Sequence, residues 1–233
     1  MYRDRLRETL PRVRDAIARA AAAAGRDPGE VRLVAVTKGH PVEAGLAAVE
    51  AGIADLGENR VGELEEKVAR VGRERVRWHM IGHLQRRKVP TALAVSDLIH
   101  SVDSIRLAQR ISRVAEEGGL GRVAVLLQVN TSGEAAKGGF APERALEALL
   151  ETAELPGLEV RGLMTMAPLT DDELVLRTTF GRLRELRDAL RSRRPDVGGE
   201  LSMGMTNDLP SAVAEGSTMV RIGTALFGER SEA

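Results

Sequence analysis

The chain carries 34 basic residues, yet only four are lysine: Lys38, Lys67, Lys88 and Lys137. Lysine is the side chain that condenses with an aldehyde, and it does so as the neutral amine. Lys38 directly follows Val34-Ala35-Val36-Thr37, an apolar run at whose end partial burial and a nearby arginine would lower a lysine pKa. A strand-end lysine that snorkels to solvent is the plainer alternative. Lys67 lies in a Glu-Leu-Glu-Glu-Lys segment and reads as part of a solvated helix face, and Lys88 and Lys137 lie in basic or glycine-rich loops. Two segments could hold an anion: Gly204-Met205-Thr206 and Gly223-Thr224. Each combines a tight glycine turn, a threonine hydroxyl and a following helix start, which together form a phosphate-binding donor set. Arg221 stands between Val220 and Ile222 in an apolar run, and a buried charge there needs a partner. That partner is either a ligand near Lys38 or an interior carboxylate. The histidines, His40, His79, His83 and His100, show no metal-ligand spacing, and His79 and His100 read as bonded structural groups.

These residues need elements to position them. Leu6, Leu10, Val13 and Ile17 recur at helical spacing, so the first segment, from Tyr2 to Ala24, is expected to be a helix stopped at Gly25. Strands are then expected at 31–37, 53–56, 76–81, 98–102, 122–130, 158–166, 200–203 and 217–222. Helices are expected between them, at 42–51, 61–71, 84–95, 104–117, 142–153, 171–193 and 208–215. Strict alternation implies a parallel sheet covered by helices. Eight such units in 233 residues fit a single α/β domain, a (β/α)8 TIM barrel over 31–228 with an extra N-terminal helix in 1–25 that covers one end or replaces the last helix. An open doubly wound sheet is the rival, but no Gly-x-Gly-x-x-Gly follows the first strand. In a barrel, Lys38, both glycine turns and the strand-end asparagines Asn59 and Asn130 fall on the rim where active sites form.

Composition excludes several classes. There is no cysteine, hence no disulfide, thiolate metal site or cysteine nucleophile. Acidic and basic residues balance at 34 each, which argues against nucleic acid as a partner. No apolar run approaches the roughly 20 residues of a membrane helix, and the start, Met1-Tyr2-Arg3-Asp4-Arg5, is unlike a secretory signal, so a cytoplasmic location is expected. No unusually apolar exposed stripe is evident, which favours a monomer.

The strand ends together carry a recognisable pattern. It comprises Leu33-Val34-Ala35-Val36-Thr37-Lys38, Gly57-Glu58-Asn59-Arg60, Trp78-His79-Met80-Ile81-Gly82 with Leu84-Gln85, and Ser101-Val102-Asp103-Ser104. It continues through Gln128-Val129-Asn130, Gly162-Leu163-Met164-Thr165-Met166, Leu201-Ser202-Met203-Gly204-Met205 and Met219-Val220-Arg221-Ile222-Gly223-Thr224. In this order it closely resembles the pyridoxal-phosphate homeostasis proteins, also called the proline synthetase co-transcribed family. The resemblance covers the chain from the first strand to Phe227-Gly228. It implies a barrel like the N-terminal domain of alanine racemase, holding pyridoxal 5'-phosphate. Lys38 matches the lysine that forms the Schiff base. Met205-Thr206 and Gly223-Thr224 match the phosphate segments, Arg221 the arginine facing the pyridine nitrogen, and Asn59 and Asn130 residues near the pocket. The chain departs from the family pattern at His83, Arg87 and Thr206, where Pro, Asn and Ser are expected. Threonine keeps the hydroxyl, whereas His83 and Arg87 alter the loop after the third strand.

Two functions compete. A racemase needs two positioned bases on opposite faces of a carbon. In alanine racemase, the resemblance implies, these are the lysine and a tyrosine contributed with a second, β-rich domain. Here the single tyrosine is Tyr2, expected on the outer helix far from the site. A carrier of the cofactor, serving vitamin B6 and amino-acid homeostasis and handing it to apo forms of pyridoxal-phosphate enzymes, needs only reversible Schiff-base formation and a phosphate cradle. The carrier is the expected function, with little or no turnover.

Overall fold

The computed structural model describes residues 1–134 and 137–229. Eight strands pair in chain order and close on themselves: β1 (Arg32–Val36), β2 (Asp55–Glu58), β3 (Arg77–Met80), β4 (Leu98–Val102), β5 (Val123–Gln128), β6 (Leu158–Met164), β7 (Glu200–Ser202) and β8 (Met219–Ile222). All pairs are parallel, and closure joins β8 to β1 with Val34 opposite Arg221 and Ala35 opposite Ile222. The helices are α1 (Tyr2–Ala23), α2 (Val42–Glu50), α3 (Val61–Val71), α4 (Val89–Val95), α5 (Ile105–Glu117), α6 (Pro142–Ala153), α7 (Glu173–Arg193), α8 (Leu209–Ala214) and the single turn α9 (Thr224–Phe227). The expected (β/α)8 barrel is the fold.

Local chemistry explains the elements. Helix α5 buries Leu107, Ala108, Ile111, Ser112 and Ala115 along one stripe, and the Ser104 hydroxyl caps its start by accepting from the Leu107 amide at 3.4 Å. Asp172 caps α7 on the Leu174 and Val175 amides. The segment expected as one helix over 84–95 splits into a 3-10 turn at Arg86–Lys88 followed by α4, where Pro90 fits the first turn of a new helix. Gly162 has φ +151°, and a Cβ there would stand 1.9 Å from the Glu200 carbonyl, so β6 and β7 can approach only at a glycine.

Two apolar layers form. The larger lies between wall and helices and contains Leu56, Trp78, Ile99, Leu127, Leu163 and Leu201. The smaller lies inside the barrel and contains Val34, Leu98, Leu126, Met164 and Met219. Alternation along the strands separates the two layers, and register shifts in β4 and β6 reset it, so Val160 and Leu163 both face outward. Helix α1 buries Tyr2, Leu6, Leu10, Val13, Ile17, Ala20 and Ala21 against α8, α9 and α2, so it stands in for the missing long helix after β8.

Candidate functional site

Position 34 points into the barrel, so alternation sends Val36 inward and Lys38 to the mouth, where Lys38 is half-buried. The strands on either side bring the other expected residues to it. Val36 pairs with Gly57 on β2, and two residues further Asn59 reaches the rim beside Lys38. A Cβ on Gly223 would stand 3.1 Å from the Val36 carbonyl, so the turn after β8 lies against the end of β1. Gly204 has φ +98°, and a Cβ there would be 2.6 Å from the Ala212 side chain. Close packing therefore requires glycine at both turns, Gly204 against α8 and Gly223 against the end of β1. Thr206 and Thr224 are exposed there, and Thr224 opens α9, whose first amides have no acceptor within that turn. Met205 is 38% exposed, and its amide is donated to the Asp208 carboxylate, which takes that donor from any anion held at the loop.

Arg221 lies below this rim. It is 4% exposed, and its guanidinium donates to the Ser202 hydroxyl at 2.7 Å and to the Thr165 carbonyl at 2.9 Å. Of the two partners the sequence allowed, an interior carboxylate does not touch it; a hydroxyl and a carbonyl do. Burial pushes its pKa down to about 10, opposed by the charge of Asp208, so it remains a cation at neutral pH. Further interior groups join Ser202. His100 Nδ1 lies 2.9 Å from Ser202 Oγ, His79 Nδ1 lies 2.8 Å from His100 Nε2, and His79 Nε2 lies 2.9 Å from Asp55. The expectation of bonded structural histidines at 79 and 100 is met, and their connection to Arg221 is added. Burial, then the charges of His79, Arg221 and Arg32, hold His100 well below its ordinary range, so it is neutral. Burial raises the Asp55 carboxyl, but the bond to His79 and the charges of His79 and Arg77 outweigh this and keep it below its usual range.

The lysine read as solvated is not. Lys67 is 3% exposed, and its ammonium donates to Glu58 and to the Thr37 carbonyl, both at 2.6 Å. The Thr37 hydroxyl donates to the same Glu58 oxygen, Oε1. Burial pushes the Glu58 carboxyl up, against the charge and hydrogen bond of Lys67 and the bond from Thr37. This cluster lies between wall and α3 and clamps the residue before Lys38. The signal for it was present: Leu64, Lys67, Val68 and Val71 share one helical stripe, and a lysine on an apolar stripe calls for a buried acid.

The other expected residues are more peripheral. Asn130, on the far side of the barrel from Lys38, donates its amide to the Glu134 carbonyl at 2.9 Å and accepts from Ser132, so it braces its own loop. His83, 71% exposed, lies 3.2 Å from Asp103, and Arg87 donates to Gln85 at 3.0 Å. Tyr2 is closer to the rim than expected. Its hydroxyl lies 3.2 Å from His40 Nδ1, two residues past Lys38, yet the ring belongs to the outer apolar layer.

The family model of the alanine racemase N-terminal domain matches residues 9–231. A pyridoxal phosphate homeostasis protein of Pseudomonas aeruginosa is 44% identical over 225 residues, covering 96% of this chain and 95% of its own. Its Escherichia coli counterpart is 40% identical over 227 residues, covering 95% of each. The chain belongs to the pyridoxal phosphate homeostasis protein family. Among solved structures, PipY of Synechococcus elongatus with pyridoxal phosphate bound is 38% identical, with a TM-score of 0.79 over 91% of this chain and 100% of its own. An alanine racemase of Clostridium difficile reaches the same TM-score at 17% identity, and the match spans only 58% of that chain. That likeness shows the shared barrel alone.

Proposed function

We propose that this protein binds pyridoxal 5'-phosphate at the mouth of its barrel and stores and hands on the cofactor rather than turning over a substrate. Lys38 holds the aldehyde end, the turns at Met205-Thr206 and Gly223-Thr224 hold the phosphate, Asn59 and Asn130 flank the pocket, and the ring nitrogen faces Arg221. When bound, the cofactor supplies an aldehyde that condenses reversibly with an amine and releases water. What fits the phosphate is the pair of exposed hydroxyls, Thr206 and Thr224, each just after a glycine turn, with the Gly223 turn packed against the end of β1.

The observation that carries the reading is Arg221, a buried guanidinium fixed by two bonds beneath the mouth. A guanidinium donates protons and accepts none, so it disfavours a protonated ring and leaves the cofactor a weak electron sink. The bound cofactor of the PipY relative supports the ligand. Racemisation also needs a second base, and Tyr2 sits in the outer layer bonded to His40. The reading includes a cytoplasmic monomer that supplies apo forms of pyridoxal-phosphate enzymes.

Borohydride reduction of the protein loaded with pyridoxal phosphate is expected to fix the label on Lys38. A label on Lys67, Lys88 or Lys137 instead overturns that assignment. Lys38→Ala is expected to lose the covalent label while keeping weaker, phosphate-dependent binding. Rapid, saturable racemisation of D- or L-amino acids by the purified protein overturns the carrier function.

A further inference from the structure

Five interior side chains from five strands form one unbroken line across the barrel. It runs from Asp55 on β2 through His79 on β3 and His100 on β4, then crosses the lumen to Ser202 on β7 and Arg221 on β8. None is more than 4% exposed.

Counting donors gives the line a direction. A guanidinium has donors only, so the Ser202 oxygen accepts from Arg221 and its single proton goes to His100 Nδ1. His100 then carries its proton on Nε2 and donates to His79 Nδ1. His79 in turn carries its proton on Nε2 and donates to Asp55. Every donor and acceptor along the line is then satisfied. In the opposite direction, His100 would donate to Ser202 and His79 would have to be an imidazolium, with protons facing both Asp55 and His100. The Ser202 proton would then have no acceptor among the described residues. A proton added to the imidazole pair is therefore felt at Ser202 and at Arg221.

The geometry points to His79, His100 and Ser202 as positioning residues that set the Arg221 guanidinium, and through it the deep end of the cofactor pocket. The inference rests on the reading that the pyridoxal phosphate ring lies over Arg221. The charged groups facing the imidazole pair are Asp55 and Arg77 at one end and Arg221 and Arg32 at the other, with Glu200 paired to Arg32 and Asp208 acting on Arg221. Burial holds His100 neutral, which agrees with a ring that accepts from Ser202.

The test compares wild type with Ser202→Ala, His100→Leu and His100→Gln, each loaded with pyridoxal phosphate. Read-outs are the dissociation constant and the absorption band of the bound cofactor between pH 8 and 5. Ser202→Ala and His100→Leu are expected to bind about tenfold more weakly, the loss of one buried hydrogen bond, with a shifted band. Glutamine offers an oxygen toward Ser202 and an N–H toward His79, so His100→Gln is expected to restore affinity and band at neutral pH. It is also expected to lose the acid-limb change that wild type shows, because no second imidazole passes the proton on. Folded Ser202→Ala and His100→Leu proteins with wild-type affinity and band overturn the inference. If His100→Leu does not fold, Ser202→Ala, which lacks a single oxygen, decides by the same criterion. A wild-type protein that binds no pyridoxal phosphate, or is labelled elsewhere than Lys38, instead strikes the cofactor reading.

Discussion

Two buried polar clusters lie on opposite faces of the same wall, and they are built on different principles. The outer one, Lys67, Glu58 and Thr37, is a compact ion pair that grips a backbone carbonyl. The inner one, from Asp55 to Arg221, spreads a line of two imidazoles and a hydroxyl between an acid and a cation that do not touch. The outer cluster determines where the chain turns just before Lys38. The inner cluster determines what the pocket presents. Scaffold and display are thus separately adjustable, although both depend on groups buried beside β2.

The sharpest way to break this contrast is Lys67→Met. It leaves Glu58 buried without its cation, a situation that costs about 3–5 kcal/mol. Denaturant titration at neutral pH is expected to show that loss, and the double variant with Glu58→Leu to recover most of it. The Glu58 pKa lies above its unfolded value, so the folded state takes up the proton first. The single variant should therefore regain stability as pH falls toward the unfolded pKa, because the acid becomes neutral.

Arg221→Met comes next. It removes the donor from Ser202 and Thr165, at roughly 1–3 kcal/mol, but breaks no direct ion pair, since Asp208 acts on Arg221 without touching it. A smaller stability loss than for Lys67→Met, with a larger loss of pyridoxal phosphate affinity, would confirm the division between the clusters. Equal losses in both measurements for both variants would dissolve it.

Smaller again is the pH effect of His100. Its folded pKa lies below the ordinary 6.5, so the unfolded chain binds the proton first as pH falls through that value. Its stabilising contribution is complete above pH 6.5 and declines below it, by at most about 1.4 kcal/mol per pH unit for one proton. Thermal melts of wild type and His100→Gln from pH 8 to 5 should separate by this slope. Parallel curves would refute it.

Smallest for stability are Thr206→Ala and Thr224→Ala, at exposed positions, each expected to change folding by less than about 0.5 kcal/mol. Each should nevertheless weaken pyridoxal phosphate binding by about 1–3 kcal/mol in a spectroscopic titration, as a lost hydroxyl donor does.

The barrel was legible because strands buried on both faces read as apolar runs, and eight of them alternate with amphipathic helices. The rim was legible for a related reason: Lys38, Gly223 and Thr224 stand where those runs stop. Lys67 was misread because its neighbours Glu65 and Glu66 suggest water, while its position on the stripe of Leu64 and Val68 was outweighed. Tyr2 was misplaced because no local pattern says which strand an outer helix will cover. The line from His79 to Arg221 was out of reach. Alternation turns each member inward, but only closure brings β4 opposite β7.

Closure has a further consequence, one of timing. Helix α1 meets the end of the barrel where Arg5 binds the Phe227 carbonyl, a contact between residues 222 apart in sequence. Synthesis at about 5–20 residues per second puts roughly 10–40 s between the appearance of the two partners. Until then β1 has no β8, the sheet is open at both edges, and Lys38 stands alone without Arg221. A nascent chain therefore cannot use the cofactor pocket to guide its early folding. Whatever binds there can only lock a barrel that has already closed, adding stability in proportion to ligand concentration once the last strand is in place.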